Sequence, residues 1–379
     1  MRGGHDKMTD RKIYKYSPSG LAACFLGVFL LALMIRNSEV AIKYVRDGLS
    51  VCADVLIPSL FPFMVISDIF VRCGVADTLG TLFAAPMRVL FGVSGSGSVA
   101  IVLGALCGFP IGARCAVSLL DVGEIDRDEC ERLIAISSTP SAAFLISAVG
   151  VSLFGSRALG RALYFSALLA SFATGVLLNA VSASRRKKAA LRASDEQQKA
   201  RKKIKRAAGV LLSDSISASA DAMLRVCAFV LFFTAFVCTL TEALGAMNLP
   251  QIAVAAISSV FELTGGMRAS ASLPQTALAV PIAAFAAGWS GVSVHLQIAS
   301  ICDGRGIRLR PYIVSKVISG VLTAVMMSLY LRIAPPELHT DTATALITPR
   351  GAHIVSAVFV VILVIGVFKK VRKNGHKRI

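Results

Sequence analysis

Stretches of about twenty apolar residues recur along the chain, and only a lipid bilayer suits so many of them. Clear examples are 19–36, 51–72, 138–155, 158–182, 222–241, 312–333 and 352–368. Two more, 95–120 and 272–303, are equally apolar but are interrupted by Gly and Pro. Composition agrees. Of 379 residues, 55% are apolar and 16% charged, with a mean hydropathy of +0.71; a soluble domain carries about 25% charge. A soluble globular enzyme and a disordered chain are both excluded.

The net charge of +18 is confined to three places. Residues 1–18 contribute +3, residues 183–208 contribute +9 and residues 369–379 contribute +6. Elsewhere the charges balance, so the excess is an orientation signal and not a nucleic-acid footprint. Positive segments stay in the cytoplasm, which places the N-terminus, the central linker and the tail there in a multi-pass cell-membrane protein. The expected organisation is a basic N-terminus (1–18), a first transmembrane half (19–182), a basic linker (183–208), a second repeat (209–335), a loop with a last span (336–368) and a basic tail (369–379). An even number of crossings must separate the cytoplasmic segments. One stretch of the first half must then be re-entrant or broken, and 95–120 is the choice; whether 272–303 crosses or forms a hairpin is left open by sequence. Residues 38–50 and 75–91 are amphipathic and suit the interface, whereas the charged helix at 124–136 suits solvent.

The nine cysteines are scattered and form no CxxC, so they are read as small buried hydrophobes. Leu21-Ala22-Ala23-Cys24 matches a lipoprotein box in letters but precedes its apolar run, and no Ala-x-Ala site follows that run. A retained anchor is expected, not a cleaved signal.

The two interrupted segments carry the functional signal. The first reads Gly104-Ala105-Leu106-Cys107-Gly108-Phe109-Pro110-Ile111-Gly112-Ala113-Arg114, the second Ala287-Gly288-Trp289-Ser290-Gly291-Val292-Ser293-Val294-His295-Leu296-Gln297. Each has an apolar approach, a glycine-flanked break and then a polar residue. Broken backbone at membrane depth must be satisfied by protein or water. Paired breaks in two halves point to a transporter-type site; glycines there also permit close helix packing. The two readings stand level at this stage. Glu262, in Phe261-Glu262-Leu263-Thr264-Gly265-Gly266, resembles a helix ending in a glycine cap, and either binds a polar ligand or pairs with Arg114. Asp54, Asp68, Asp221, Arg225 and Lys316 are read as helix-end residues that snorkel. Ser137-Ser138-Thr139-Pro140-Ser141 is read as a capping segment. The candidate solute-binding set is Gly108, Pro110, Gly112, Arg114, Glu262, Gly288, Ser290, Gly291, His295 and Gln297. Glycines and Pro110 open backbone groups, Arg114 and Glu262 supply charge, and Ser290, His295 and Gln297 supply hydrogen bonds.

No phosphate-cradling, nucleophile-elbow, zinc-protease or EF-hand pattern occurs. No enzyme activity, cofactor, metal or nucleic-acid partner is expected; the bilayer is the partner.

Leu56-Ile57-Pro58-Ser59-Leu60-Phe61-Pro62-Phe63, Gly108-Phe109-Pro110-Ile111-Gly112-Ala113 and Ser138-Thr139-Pro140-Ser141-Ala142-Ala143-Phe144 resemble motifs of the nucleoside-recognition (Gate) domain family. Their order, continued by Glu262–Gly266 and Gly288–Gln297, resembles the YlbJ-like branch of sporulation membrane proteins over about residues 20–335. The resemblance implies an all-α polytopic membrane fold with two Gate-like repeats, each with a broken or re-entrant helix; the orientation above, with 51–72 entering from outside and 222–241 from inside, makes the expected repeats inverted. It also implies a place in spore envelope formation, a small polar solute such as a nucleoside as ligand, and other sporulation membrane proteins as partners. The alternative is a sporulation scaffold without transport.

Overall fold

The computed structural model describes residues 34–73, 75–190 and 208–333, with a few positions between 25 and 32. Among these residues all regular structure is helical. In chain order the helices are α1 (Ser38–Val51), α2 (Ile57–Arg72), α3 (Val75–Pro86), α4 (Ser98–Cys107), α5 (Ile111–Asp121), α6 (Arg127–Ser137), α7 (Arg157–Ala190), α8 (Ala208–Ala246), α9 (Gln251–Phe261), α10 (Leu263–Ala271), α11 (Thr276–Trp289), α12 (Gly291–Cys302) and α13 (Arg310–Ile333). Wide turns of π type lie at Cys52–Leu56, Met87–Phe91 and Phe144–Leu153.

Local chemistry explains the interruptions. Pro58 has no N–H for the carbonyl four residues back, and the wide turn at Cys52–Leu56 sits there. Gly92 (φ 62°) lets Gly80–Phe91 and Gly95–Cys107 meet at 93°. Gly108 ends α4 at φ 80°, ψ −174°, a conformation open to glycine, before Pro110 starts α5. Pro140 follows the end of α6 and holds the chain out of helix.

Four units are long and apolar enough to cross a membrane: Arg157–Val181, Leu211–Ala246, Thr276–Cys302 and Arg310–Ile333. The bent pair Gly80–Phe91 with Gly95–Cys107 makes a fifth when counted as one span. The expected spans at 158–182, 222–241 and 312–333 therefore have helices of sufficient length, and 272–303 forms one span-length unit interrupted at Ser290. The expected span at 138–155 does not form as one helix. Residues 138–141 form no regular structure and the rest is short, centred on the segment Phe144–Leu153. The helix of the first half continues through Ala190, into the stretch expected as linker. Most of 19–36, all of 352–368 and both basic termini lie outside the described residues.

The packing order follows from which faces are apolar. α11 lies on α13, α13 on α7 and α6, and α1 and α2 on α8. One apolar cluster joins α4, α5 and α6 to α12, through residues such as Ile111, Leu119, Leu133 and Ile298. A second joins α7 to α11 through Leu159, Leu163, Ala283 and Ala287. α13 is built inside-out relative to a soluble helix. Ile313, Val314, Val317, Val321, Val325 and Leu329 are 41–59% exposed, while Tyr312, Lys316, Ser319 and Thr323 are buried. Exposed valines and leucines are what hydrocarbon selects.

The charged helix expected to face solvent is largely buried. Cys130–Ser137 of α6 are all buried, Glu131 and Arg132 included. Arg308 reaches Glu131 with its backbone N–H (2.8 Å) and guanidinium (3.0 Å), and Asp128 at 2.7 Å. Arg305 grips Asp121 with two bonds of 2.8 and 2.9 Å. The loop between α12 and α13 is thus pinned to α5 and α6. The hydrogen-bonded carboxylates of Asp121 and Glu131 hold both guanidinium pKa values above their ordinary range.

Gly104 and Gly112 face the Ser137 carbonyl so closely that a Cβ on either would collide with backbone. Gly112→Val should therefore destabilise the protein by about 1–3 kcal/mol, read as a lower unfolding temperature in detergent, whereas Val102→Leu on the same half should change it little.

Candidate functional site

α13 places Tyr312 and Lys316 four residues apart on one face, with Ser319 and Thr323 continuing the stripe. The Lys316 side chain is 1% exposed, and its ammonium donates to the carbonyl of Ser138. Ser138 is the C-cap of α6, so the ammonium sits where that helix exposes unpaired carbonyls and the negative end of its dipole. Among the described residues no carboxylate lies within ion-pair distance of Lys316. Neighbouring carbonyls at the end of α6 find other donors. Ser138 Oγ donates to Ile134 (2.7 Å), Ser171 Oγ to Ile136 (2.8 Å) and the Phe109 N–H to Thr139 (2.8 Å). At the end of α4, Tyr164 donates to Ala105 at 3.1 Å. This is how a broken helix is tolerated in hydrocarbon.

Across from Lys316 lies the second interruption. Ser290 has φ 75°, a left-handed conformation that costs a non-glycine residue energy. Gly291 follows at φ 82°, and a Cβ there would come within about 3.1 Å of Glu262. The Glu262 carboxylate is consumed locally. It caps α10, accepting from the N–H groups of Thr264 (3.0 Å) and Gly265 (2.6 Å). The glycine-cap reading of this stretch is thereby corrected. α9 ends at Phe261, Glu262 is extended, and Gly265 and Gly266 lie inside α10, where Gly266 lets Ser259 approach.

His295 follows on α12, buried, its ring edge-to-face with Trp289 at 4.2 Å between centroids. Its Nδ1 lies 2.9 Å from the Tyr312 hydroxyl. Its Nε2 is buried and has no hydrogen-bond partner, as are Ser290 Oγ and Ser137 Oγ. Lys316 and His295 are electrostatic neighbours. The centre therefore offers buried polar groups from both halves: the Lys316 amino group, an imidazole nitrogen and serine hydroxyls.

The expected residues divide into three groups. Gly108 and Gly112 meet the segment 137–141, with Gly108 against Ser141 and Gly112 against Ser137, and Pro110 lies between them at the start of α5. Glu262, Ser290, Gly291 and His295 gather around the second break, while Gly288 packs on Ser319 and Gly320 and Gln297 is buried further along α12. Phe109 of the first break packs against the apolar cluster that holds Leu263 and Ala287 beside the second, and Ser138, Lys316 and His295 run between them. Arg114 stands apart, with Asp68, Arg72, Asp121 and Arg305 as its charged neighbours, and does not pair with Glu262. Lys316 is no helix-end snorkeller, and neither is Asp68, which is buried and bonded to Arg72 (2.6 Å) and Ser118 (3.0 Å). Asp54, Asp221 and Arg225 are exposed. Sequence reasoning passed over Tyr312 and the Ser138 carbonyl. The signal for α13 was present, as polar residues at 312, 316, 319 and 323 recur at helical spacing in an otherwise apolar run.

Replacing Lys316 strips the donor from a buried carbonyl. Lys316→Ala should lower stability by about 1–3 kcal/mol through that loss, plus a cavity contribution, and the volume-conserving Lys316→Met by less. Thermal unfolding of purified protein checks the order, and equal unfolding temperatures for all three proteins would contradict it.

No family model matches the chain, and no solved structure matches it. Among curated proteins, the chain is similar to the sporulation integral membrane protein YlbJ of Bacillus subtilis (strain 168). The two are 30% identical over 337 residues, covering 82% of this chain and 81% of the relative. An identity of that extent over four-fifths of both proteins, with an all-helical fold of span-length units, places this polypeptide: it belongs to the family of the sporulation integral membrane protein YlbJ.

Proposed function

We propose that this chain is an integral membrane protein of spore formation that binds and passes a small polar solute rich in hydrogen-bond acceptors. The sporulation part rests on the relative's name. The solute part is carried by one observation: Lys316 is buried without a carboxylate partner among the described residues, beside buried polar atoms that lack partners. An intramembrane ionisable group is expensive and points to function. Lys316 donates and the serine hydroxyls can donate too, so the complementary solute carries carboxylate, carbonyl or hydroxyl oxygens; a nucleoside's base and sugar oxygens belong to this class. In this reading the interruptions at 108–110 and 138–143 form one Gate-like repeat and those at 262 and 290 the other. No catalytic step is assigned. The N-terminus, linker and tail face the cytoplasm, as their charge excess dictates.

A second reading has its own support. Gly104, Gly112 and Gly288 are pressed against backbone, and Glu262 is spent on a helix cap, as in a rigid scaffold. Proteoliposome uptake separates the two. Wild type should accumulate an acceptor-rich solute above empty liposomes, and Lys316→Met or His295→Ala should weaken apparent affinity about tenfold or more, as loss of a hydrogen bond to a charged or buried group implies. Uptake equal to empty liposomes across carboxylates, nucleosides and cations would leave the scaffold reading. Normal heat-resistant spores after deletion would contradict the sporulation role.

A further inference from the structure

Tyr312 is 1% exposed and its hydroxyl has one recorded contact, His295 Nδ1 at 2.9 Å. A neutral imidazole carries its proton on one nitrogen and a lone pair on the other. If Nδ1 carried the proton, it would donate to the phenol oxygen, and the phenol's own proton would be buried without an acceptor. Two buried groups would then be without partners, the phenol proton and the Nε2 lone pair. If the phenol donates instead, Nδ1 is the acceptor and the ring proton lies on Nε2. Both Tyr312 and Nδ1 are then satisfied, and the nitrogen left without a partner is the donor Nε2–H. Trp289, edge-to-face with the ring at 84° and itself tied to the Val260 carbonyl at 2.9 Å, holds the ring plane. We infer that Tyr312 is a positioning residue: it fixes His295 as the Nε2–H tautomer, so that the imidazole presents a donor and not a lone pair to the solute centre. A donor beside the Lys316 ammonium completes a site that repels cations and favours oxygen acceptors. This builds on the solute-binding reading above, but the tautomer itself is observable without a solute.

The test is nitrogen-15 NMR of the full chain, labelled at histidine, in lipid bilayers, with His295→Gln used to assign the His295 signals among the five histidines. Wild type should show a neutral His295 protonated at Nε2. Tyr312→Phe, which keeps the ring and removes the donor, should mix the tautomers or move the proton to Nδ1. In uptake assays the same variant should raise KM about tenfold, with a smaller change in the maximal rate. An Nδ1–H tautomer in wild type, or an unchanged spectrum in Tyr312→Phe, would overturn the inference. A wild type with the Nε2–H tautomer but no uptake of any acceptor-rich solute would support the tautomer assignment and overturn the solute-binding reading instead.

Discussion

A helix that breaks inside a bilayer has no water to turn to, so each freed carbonyl and amide must be met by another part of the protein. That constraint organises the molecule. The end of α6 is satisfied by Ser138, Ser171, Lys316 and the amide of Phe109. These donors come from four places in the chain: α6 itself, α7, α13 and the α4–α5 break. The interruption is therefore a junction, and the elements that serve it are fixed relative to one another. The second interruption follows a different solution, in which Glu262 turns its carboxylate onto the first amides of α10 and Gly291 lies against it.

Lys316 stands between the two. Burying an ammonium in low dielectric is costly unless it is paired, and pairing with one carbonyl compensates only in part. The position of that carbonyl, at the negative end of a helix, offsets some of the cost. What remains is a centre of buried polar groups without partners, while Arg305 and Arg308 pair with Asp121, Asp128 and Glu131 at the far end of α6. Exposed ion pairs contribute little alone. Arg308 is different, because one oxygen-rich partner, Glu131, is buried and would be left with an unmatched charge. The same α6 is thus tied to the second half at both ends, by Arg308 near its start and by Lys316 at its finish.

Much of this was legible in the sequence, for physical reasons. Apolar runs of bilayer length mark the helices of 158–182, 222–241 and 312–333, and Gly-Phe-Pro and Trp-Ser-Gly mark the breaks near 108–110 and 290, because glycine lacks a side chain and proline an N–H. The run 138–155 misled because apolar composition does not separate one helix from an irregular segment followed by a short wide turn; Pro140 and the serine cluster held the information. The charged face of α6 misled because its partner, Arg308, lies more than 170 positions away. Glu262 was misread because Gly265 and Gly266 lie inside α10, with Gly266 serving close approach to Ser259, and do not end a helix. Lys316 was treated as a helix-end residue, although its spacing with Tyr312, Ser319 and Thr323 already placed it on an inward polar stripe.

The central claim is that the Lys316 ammonium holds the two interruptions together. Hydrogen–deuterium exchange of the full chain in lipid nanodiscs, comparing wild type with Lys316→Met, tests it most directly. Faster exchange in the variant at both 136–144 and 288–296, with α8 unchanged, is the predicted result. Exchange that is unchanged at either interruption would contradict the account.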